Sequence, residues 1–158
     1  AAVLAAGAFE GEAAVLGLGP VGSRVAALLE NRGTAVRTFD PSPDRGGSAG
    51  SVAEAVEGAS ALFACGPAGI ELIAVRDLKA AGVRIAMDLN AVPPAGVARV
   101  EPQDAGTDRD GVRCFGALAV GGLKMKIHAA AVASLFEAND RTLGAEELMI
   151  LGRDLLAR

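Results

Sequence analysis

Gly17, Gly19 and Gly22 stand in the spacing G-x-G-x-x-G, with Pro20 and Val21 between the last two. Each glycine has its own physical task. The first permits a tight turn, the second lets backbone approach a diphosphate, and the third lets a helix pack closely on a strand. A helix starting at such a loop offers unpaired N–H groups and the positive end of its dipole to an anion. The spacing is common among glycine-rich turns, so context decides: a strand before, a helix after, and an acid about 20 residues on. Ala13 to Leu18 (AAVLGL) reads as a buried strand. From Pro20, apolar residues at Val21, Val25, Leu28 and Leu29 share one helical face, and Asp40 closes the next strand. The pattern points to a nicotinamide dinucleotide held at Gly17, Gly19, Pro20, Val21 and Gly22. The alternative is a structural turn of an α/β domain that binds nothing.

Asp40 bears on which dinucleotide is taken. A carboxylate at this position accepts hydrogen bonds from the ribose hydroxyls of NAD and repels the 2′-phosphate of NADP. Asp is also a common turn residue, here ahead of Pro41. Arg37 and Arg45 act the other way, since an arginine near the loop could cradle a phosphate. The balance favours NAD, with NADP as the alternative.

A second group of chemical residues lies in GGLKMKIHAAA, residues 121–131, where Lys124, Lys126 and the single histidine, His128, interrupt an apolar segment. At about 100° per residue, Lys124 and His128 share a helix face and Lys126 points away from His128. Lys126 falls beside Ala130, Ala133 and Glu137, a solvated face. Lys124 falls among Leu123, Ile127 and Leu135. A helix starting near residue 122 puts Lys124 in the first turn, where the dipole disfavours a cation, so propensity does not account for it. Lys124 is therefore the candidate catalytic residue, polarising or positioning a substrate. The bland alternative is a packed stem with its head in water. His128 reads as a core or interface histidine. Asp88 and Asn90 flank a strand end; Asn90 offers both donor and acceptor to a ligand, or else caps the turn before Pro93 and Pro94. Cys65 reads as a small buried residue.

The elements that must position these groups alternate. Thr34 to Phe39 is a strand, following a helix that Gly33 closes. Ser51 caps a short helix through Val56. Ala61 to Cys65 and Val83 to Leu89 are strands, separated by the turn GPAG and a helix from about Ile70 to Ala80. A polar stretch from Glu101 to Gly111 leads to a last strand near Val112 to Leu118, and helices over roughly 122–138 and 144–157 follow. The alternation predicts an α/β fold: a Rossmann-like, doubly wound, mainly parallel sheet with helices on both faces. Ligands of such sheets bind at the carboxyl ends of the strands. Three further loops qualify, at Gly66–Gly69, Asn90–Pro94 and Ala117–Lys124, adding Gly66, Pro67, Asn90 and Ala117 as candidate cofactor contacts. The segment between Asp40 and Ala61 has room for one small helix but not for a full helix and a third strand. The sheet is expected to be trimmed there.

The totals narrow the classes. A chain of 158 residues suits one domain with a sizeable core. With 51% hydrophobic residues and 21 glycines spread throughout, disorder and collagen-like order are excluded. The net charge of −4 has no basic block behind it and the five aromatics are all Phe, which argues against a nucleic-acid partner. Glycine or charge interrupts the apolar runs before about 18 residues, so no membrane span is expected. Cys65 and Cys114 have no metal-binding spacing, so no metal is expected, and a reduced cytoplasmic setting is the default. The opening AAVLAAGAFEGE lacks a basic n-region and reads as the tail of a helix ending at Gly7, not as a signal peptide.

At DLNAVPPAGV and FGALAVGGLKMKIHAAAVASLFE the sequence resembles the NAD(P)-binding domain of bacterial methylene-tetrahydromethanopterin dehydrogenases. The likeness runs from about Gly11 to the end and includes GLGPVG and GPAGIEL. It implies hydride transfer between a methylene-pterin one-carbon carrier and NAD(P). It also implies an N-terminal domain ahead of the Rossmann domain at 11–158, with residues 1–10 the remnant of a connecting helix, and a homo-oligomer. The lysine of G-G-L-K would face the cleft between domains. Two other functions fit the glycine loop: a non-catalytic dinucleotide sensor, and the cofactor domain of another two-domain dehydrogenase of the shikimate type.

Overall fold

A computed structural model of the chain describes residues 1–138 and 140–157. Helix α1 (Ala2–Ala6) leads into β1 (Glu12–Leu16), α2 (Pro20–Glu30) and β2 (Val36–Phe39). A 3₁₀ turn at Pro43–Arg45 and α3 (Val52–Val56) precede β3 (Ala59–Ala64). Then come β4 (Ile73–Ala74), α4 (Val75–Ala80), β5 (Ile85–Asp88), β6 (Val97–Ala98), β7 (Ala105–Arg109) and β8 (Val112–Phe115). Helices α5 (Ala117–Leu135) and α6 (Ala145–Leu156) follow. Six strands form one sheet in the order β2-β1-β3-β5-β8-β7, and β4 pairs with β6 apart from it. β2 through β8 run parallel in that order, while β7 closes the far edge antiparallel. This is the Rossmann-like α/β fold with β2 at the edge, trimmed where the short 41–60 segment leaves no room for another strand.

Strand periodicity divides the core in two. Ala13, Val15, Ala61, Phe63, Ile85 and Met87 point to the face covered by α1, α2, α5 and α6. Their neighbours Ala14, Leu16, Leu62, Ala64 and Ala86 point to the face covered by α3 and α4. The strands are buried on both faces, which is why they read as apolar runs and not as an alternation.

Three expectations about the elements are corrected. The helix placed from Ile70 is shorter, starting at Val75, because the N–H of Leu72 donates to the Gly96 carbonyl at 2.8 Å and Ile73 pairs with Val97. The polar stretch before the last strand contains β7. As an exposed edge it shows no apolar alternation, and its signal was the hairpin dipeptide Asp110-Gly111, both at positive φ. The helix placed from 122 begins at Ala117 instead. The Pro102 carbonyl accepts the N–H groups of Leu118 and Ala119, at 2.8 and 3.3 Å, and so completes its first turn. By length and composition α5 could also cross a membrane, against the sequence expectation; it carries two lysines, however, and packs on α6 and the sheet-facing cluster.

Candidate functional site: the glycine loop and its surroundings

At the end of β1, Gly17 turns the chain with φ +90°, which side-chain-bearing residues rarely adopt. A Cβ there would lie 2.7 Å from the Gly66 nitrogen, so the glycine loop and the loop after β3 are in contact. A Cβ on Gly22 would overlap the Gly17 carbonyl oxygen and lie 2.9 Å from its carbon, so α2 seats only on glycine. Gly19 is different. It is the N-cap of α2, extended at φ −67°, and nothing lies within 4 Å of where its Cβ would be. Ser23 N–H donates to the Gly19 carbonyl at 3.0 Å, and Pro20 has no N–H. Among the described residues the N–H groups of Gly19, Val21 and Gly22 have no acceptor. Open space and free donors therefore meet at Gly19, and these residues fit a diphosphate.

Asp40 is buried beneath this loop, with its side chain 2% exposed. Its Oδ2 accepts from Leu18 N–H at 2.7 Å and from Arg45 Nη1 at 3.1 Å, and its Oδ1 accepts from Ser42 N–H at 2.9 Å. Burial alone would raise its pKa; the two backbone donors and the Arg45 guanidinium outweigh it and hold the carboxyl below its ordinary value. Asp40 thus ties the glycine loop to the end of β2, with Arg45 half-exposed beside it. Arg37 is elsewhere. Its Nε donates to Glu12 at 2.7 Å, at the amino end of β1, and its Nη1 to the Glu54 carbonyl at 3.2 Å. Of the two arginines read as phosphate candidates, Arg45 alone stands at the carboxyl end of the strands.

The loop after β5 is braced internally. Asp88 is 1% exposed and accepts from Asn90 N–H at 2.9 Å and Val97 N–H at 2.8 Å. Burial pushes its pKa up against these donors. Asn90 Oδ1 accepts from Val92 N–H at 2.9 Å and its Nδ2 donates to the Pro94 carbonyl at 3.3 Å, so the side chain caps the proline turn. It faces a separate cavity of about 230 Å³ between Glu71 and Pro102. Cys65, beside Gly66, is pushed up to about 12 by burial and by the Asp88 charge, and its thiol stays protonated at neutral pH. Among the described residues no three His, Cys, Asp or Glu side chains gather as a metal site.

Lys124 lines a cavity of about 520 Å³ with Pro20, Val21, Arg24, Leu89 and Ala117. The fold thus brings Pro20, Val21, Ala117 and Lys124 to one place; Gly66 touches the glycine loop from the other side; Asn90 stands apart, and Pro67 is exposed. Since α5 starts at Ala117, Lys124 is beyond its first turn, and the dipole gives no reason for or against a cation there. Lys126 is exposed, as read. His128 is exposed too and is not a core residue; with Lys124 it borders a smaller cavity of about 160 Å³ against α6. Two polar groups escaped the sequence reading. Arg24 lies one turn along α2, and only its four-residue distance from Pro20 hinted at the same mouth. Asp104 accepts from Arg109 at 2.6 and 2.8 Å and from Glu101 N–H at 2.9 Å, holding the turn that caps α5; its spacing to Arg109 carries no recognisable motif.

This geometry can be set beside known proteins. No family model matches the chain. The bifunctional protein MdtA of Methylorubrum extorquens is 40% identical over 106 residues, covering 66% of this chain and 37% of that protein. The NAD(P)-dependent methylenetetrahydromethanopterin dehydrogenase of the same organism is 34% identical over 93 residues, covering 54% of this chain and 30% of that one. The chain resembles the methylene-tetrahydromethanopterin dehydrogenases. It spans about a third of the length of these curated relatives. Among solved structures, the transhydrogenase of Sinorhizobium meliloti aligns with a TM-score of 0.56 at 21% identity, over 73% of this chain and 39% of that one. An L-alanine dehydrogenase aligns with 0.54 at 18%, over 94% and 55%. These two carry the fold alone. The likeness is thus to a dinucleotide-binding dehydrogenase domain, and the relative whose name states an activity is an NAD(P)-dependent dehydrogenase.

Proposed function

We propose that the chain is the cofactor domain of an enzyme that moves a hydride between a methylene-pterin one-carbon carrier and NAD(P). The observation that carries the nicotinamide site is the open space at Gly19 facing the free N–H groups of Val21 and Gly22. The pterin comes from the likeness to the methylenetetrahydromethanopterin dehydrogenase. A bound oxidised nicotinamide would supply the acceptor for a hydride from the methylene carbon, the carrier being left in its methenyl form. The chain's own residues do the holding. Gly19, Val21 and Gly22 would donate to the diphosphate, and Asp40 fixes their loop by accepting from Leu18. Gly66 lets its loop lie close to Gly17, and Pro67 and Ala117 are the further residues that would hold the cofactor. Lys124 reaches the same mouth from α5 and positions or polarises the pterin. Asn90 shapes the proline loop that walls the cleft.

Cofactor choice rests on Asp40 and Arg45. NAD is favoured when Asp40 keeps its charge toward the ribose; Arg45 moderates this by neutralising Asp40 and by standing ready for a 2′-phosphate. The chain works with a second domain, with residues 1–10 belonging to the connection and 11–158 to the Rossmann unit, in a soluble cytoplasmic homo-oligomer. Titration with NADH and NADPH, followed by ligand fluorescence, tests the site: both should bind, NADH the more tightly. Pterin oxidation should require the second domain. Failure of both dinucleotides to bind at millimolar concentration would refute the site, and robust pterin turnover by these 158 residues alone would refute the need for a second domain.

A further inference from the structure

The amino ends of the strands, opposite the glycine loop, border a further cavity of about 480 Å³, lined by Ala8, Phe9, Glu10, Arg84, Ile85 and Arg113. That size lies within the roughly 300–1,000 Å³ of ligand pockets. Its two arginines enter from neighbouring strands. Arg84 stands just before β5 and Arg113 near the start of β8, and the N–H of Arg113 donates to the Arg84 carbonyl at 2.9 Å. Two cations this close on a strand pair repel each other. The chain has acids to spare, 19 against 15 bases, and Arg37, Arg45, Arg99 and Arg109 each pair with one. Among the described residues no carboxylate pairs with Arg84 or Arg113. Glu10 lines the same cavity, yet what it gives Arg84 is its backbone carbonyl.

Backbone holds the two guanidinium groups in place instead. Arg84 Nη2 donates to the Glu10 carbonyl at 3.2 Å and to Ser60 Oγ at 3.3 Å. Arg113 Nη2 donates to the Ala6 carbonyl at 2.9 Å, at the end of α1, and its guanidinium lies 5.5 Å from the centre of the Phe115 ring. Fastening the 6–10 segment to the sheet therefore uses one nitrogen of each fork. Nε and Nη1 of both arginines have no acceptor among the described residues, and both side chains reach solvent. A fork already oriented loses less freedom when it binds. Half-buried Phe9 and buried Ile85 give the cavity an apolar wall beside these donors.

We propose that this cavity binds a small organic phosphate, its dianion between Arg84 and Arg113 and its apolar part against Phe9 and Ile85. The charge count selects the class. Two guanidinium groups without acids match a phosphomonoester, which carries about −1.5 to −2 at neutral pH, better than they match the single charge of a carboxylate. Arginine forks also meet phosphate oxygens in pairs. The site is separate from the dinucleotide mouth, because β1, β3, β5 and β8 run parallel and the two places lie at their opposite ends. It does not depend on the pterin.

The probe is phenyl phosphate, titrated into the chain at constant ionic strength and followed by backbone amide shifts. One saturable site should appear with a Kd of about 1 mM or tighter, the scale of a few charge-assisted contacts in an open cavity. The shifts should centre on Phe9, Glu10, Ile85 and Arg113. Benzyl alcohol, which keeps the ring and lacks the charge, should bind at least about tenfold more weakly. Saturating NADH should leave the titration unchanged. Arg84→Gln should weaken phenyl phosphate at least about tenfold while NADH affinity and the thermal transition hold. The wild-type titrations decide the matter even where that variant melts early. Absence of saturation by about 10 mM, shifts centred on Gly19 and Gly22, or competition by NADH overturns the proposal. So does equal binding of benzyl alcohol, or an Arg84→Gln chain that folds and binds like the wild type.

Discussion

Substituting alanine at Gly19 and at Gly22 should separate binding from folding. At Gly22 the new Cβ would overlap the Gly17 carbonyl and fall 2.9 Å from its carbon and 3.2 Å from the Cβ of Cys65, where ordinary contact begins at 3.4 Å. Two of these neighbours are backbone, so α2 must lift from β1. Overpacking of this kind costs about 1–3 kcal/mol and sometimes more. At Gly19 the Cβ meets nothing within 4 Å, and φ −67° suits alanine. The remaining cost is the poorer N-cap, about 0.5–1 kcal/mol. The same Cβ occupies the space where the diphosphate must approach. Losing two hydrogen bonds to a charged group, at about 1.5–3 kcal/mol each, lowers affinity about 100-fold or more. Circular-dichroism melts and NADH fluorescence titrations of both variants read these effects. Gly19→Ala should melt near the wild type and bind at least about 100-fold more weakly. If Gly19→Ala binds NADH like the wild type, no phosphate approaches Gly19 and the site is misplaced.

Arg45→Ala should weaken NADPH binding about tenfold, the loss of one charge-assisted contact, while leaving NADH binding within about twofold; equal losses for both would remove Arg45 from cofactor choice. Joined to a pterin-binding domain, Lys124→Ala should cut turnover roughly 100-fold, the scale for removing a placed polar group at a reacting centre. Lys126→Ala, at a solvated position, should stay within about 0.5 kcal/mol in stability and keep turnover. Restored turnover in Lys124→Met would make Lys124 a packing residue. Acid should unfold the chain through Asp40 and Asp104, whose folded pKa values both lie below their ordinary carboxylate range despite burial, because backbone and arginine donors favour the anion. The stability they contribute is complete above about pH 4, the unfolded carboxylate value, and is lost as pH falls through the folded values. Asp88 opposes this, since its raised folded value makes stability fall as pH rises through the window between the unfolded and folded values. A chain carrying Asp40→Asn with Asp104→Asn should be less stable at pH 7 and show a flatter acid limb; an unchanged limb would refute their role.

The sequence by itself determined the parts of this protein that depend on short-range geometry. Buried parallel strands need unbroken apolar runs, so β1, β3 and β5 were legible, and the chain length between Asp40 and Ala61 was enough to predict the trimmed edge. The turn at Gly17 and the helix seat at Gly22 were legible because a positive φ is local and the clash that Gly22 avoids is with Gly17, five residues away, whereas the close approach of Gly17 to Gly66 was not. Tertiary structure decided what depended on partners distant in the chain. Asp40 was visible as an acid at the right spacing, but its engagement with Leu18, 22 residues away, which makes it a clamp on the glycine loop as well, was not. The start of α5 was hidden because Pro102, outside the helix, supplies the first acceptor. β7 was hidden because an edge strand exposed on both faces leaves no hydrophobic period to read. Lys124 was visible as an oddity within its own helix. Only the tertiary arrangement that sets α2 and α5 around one cavity could place it at the mouth where Pro20 and Val21 lie, since that cavity joins segments 100 residues apart (from 24 to 124) and no local pattern encodes it.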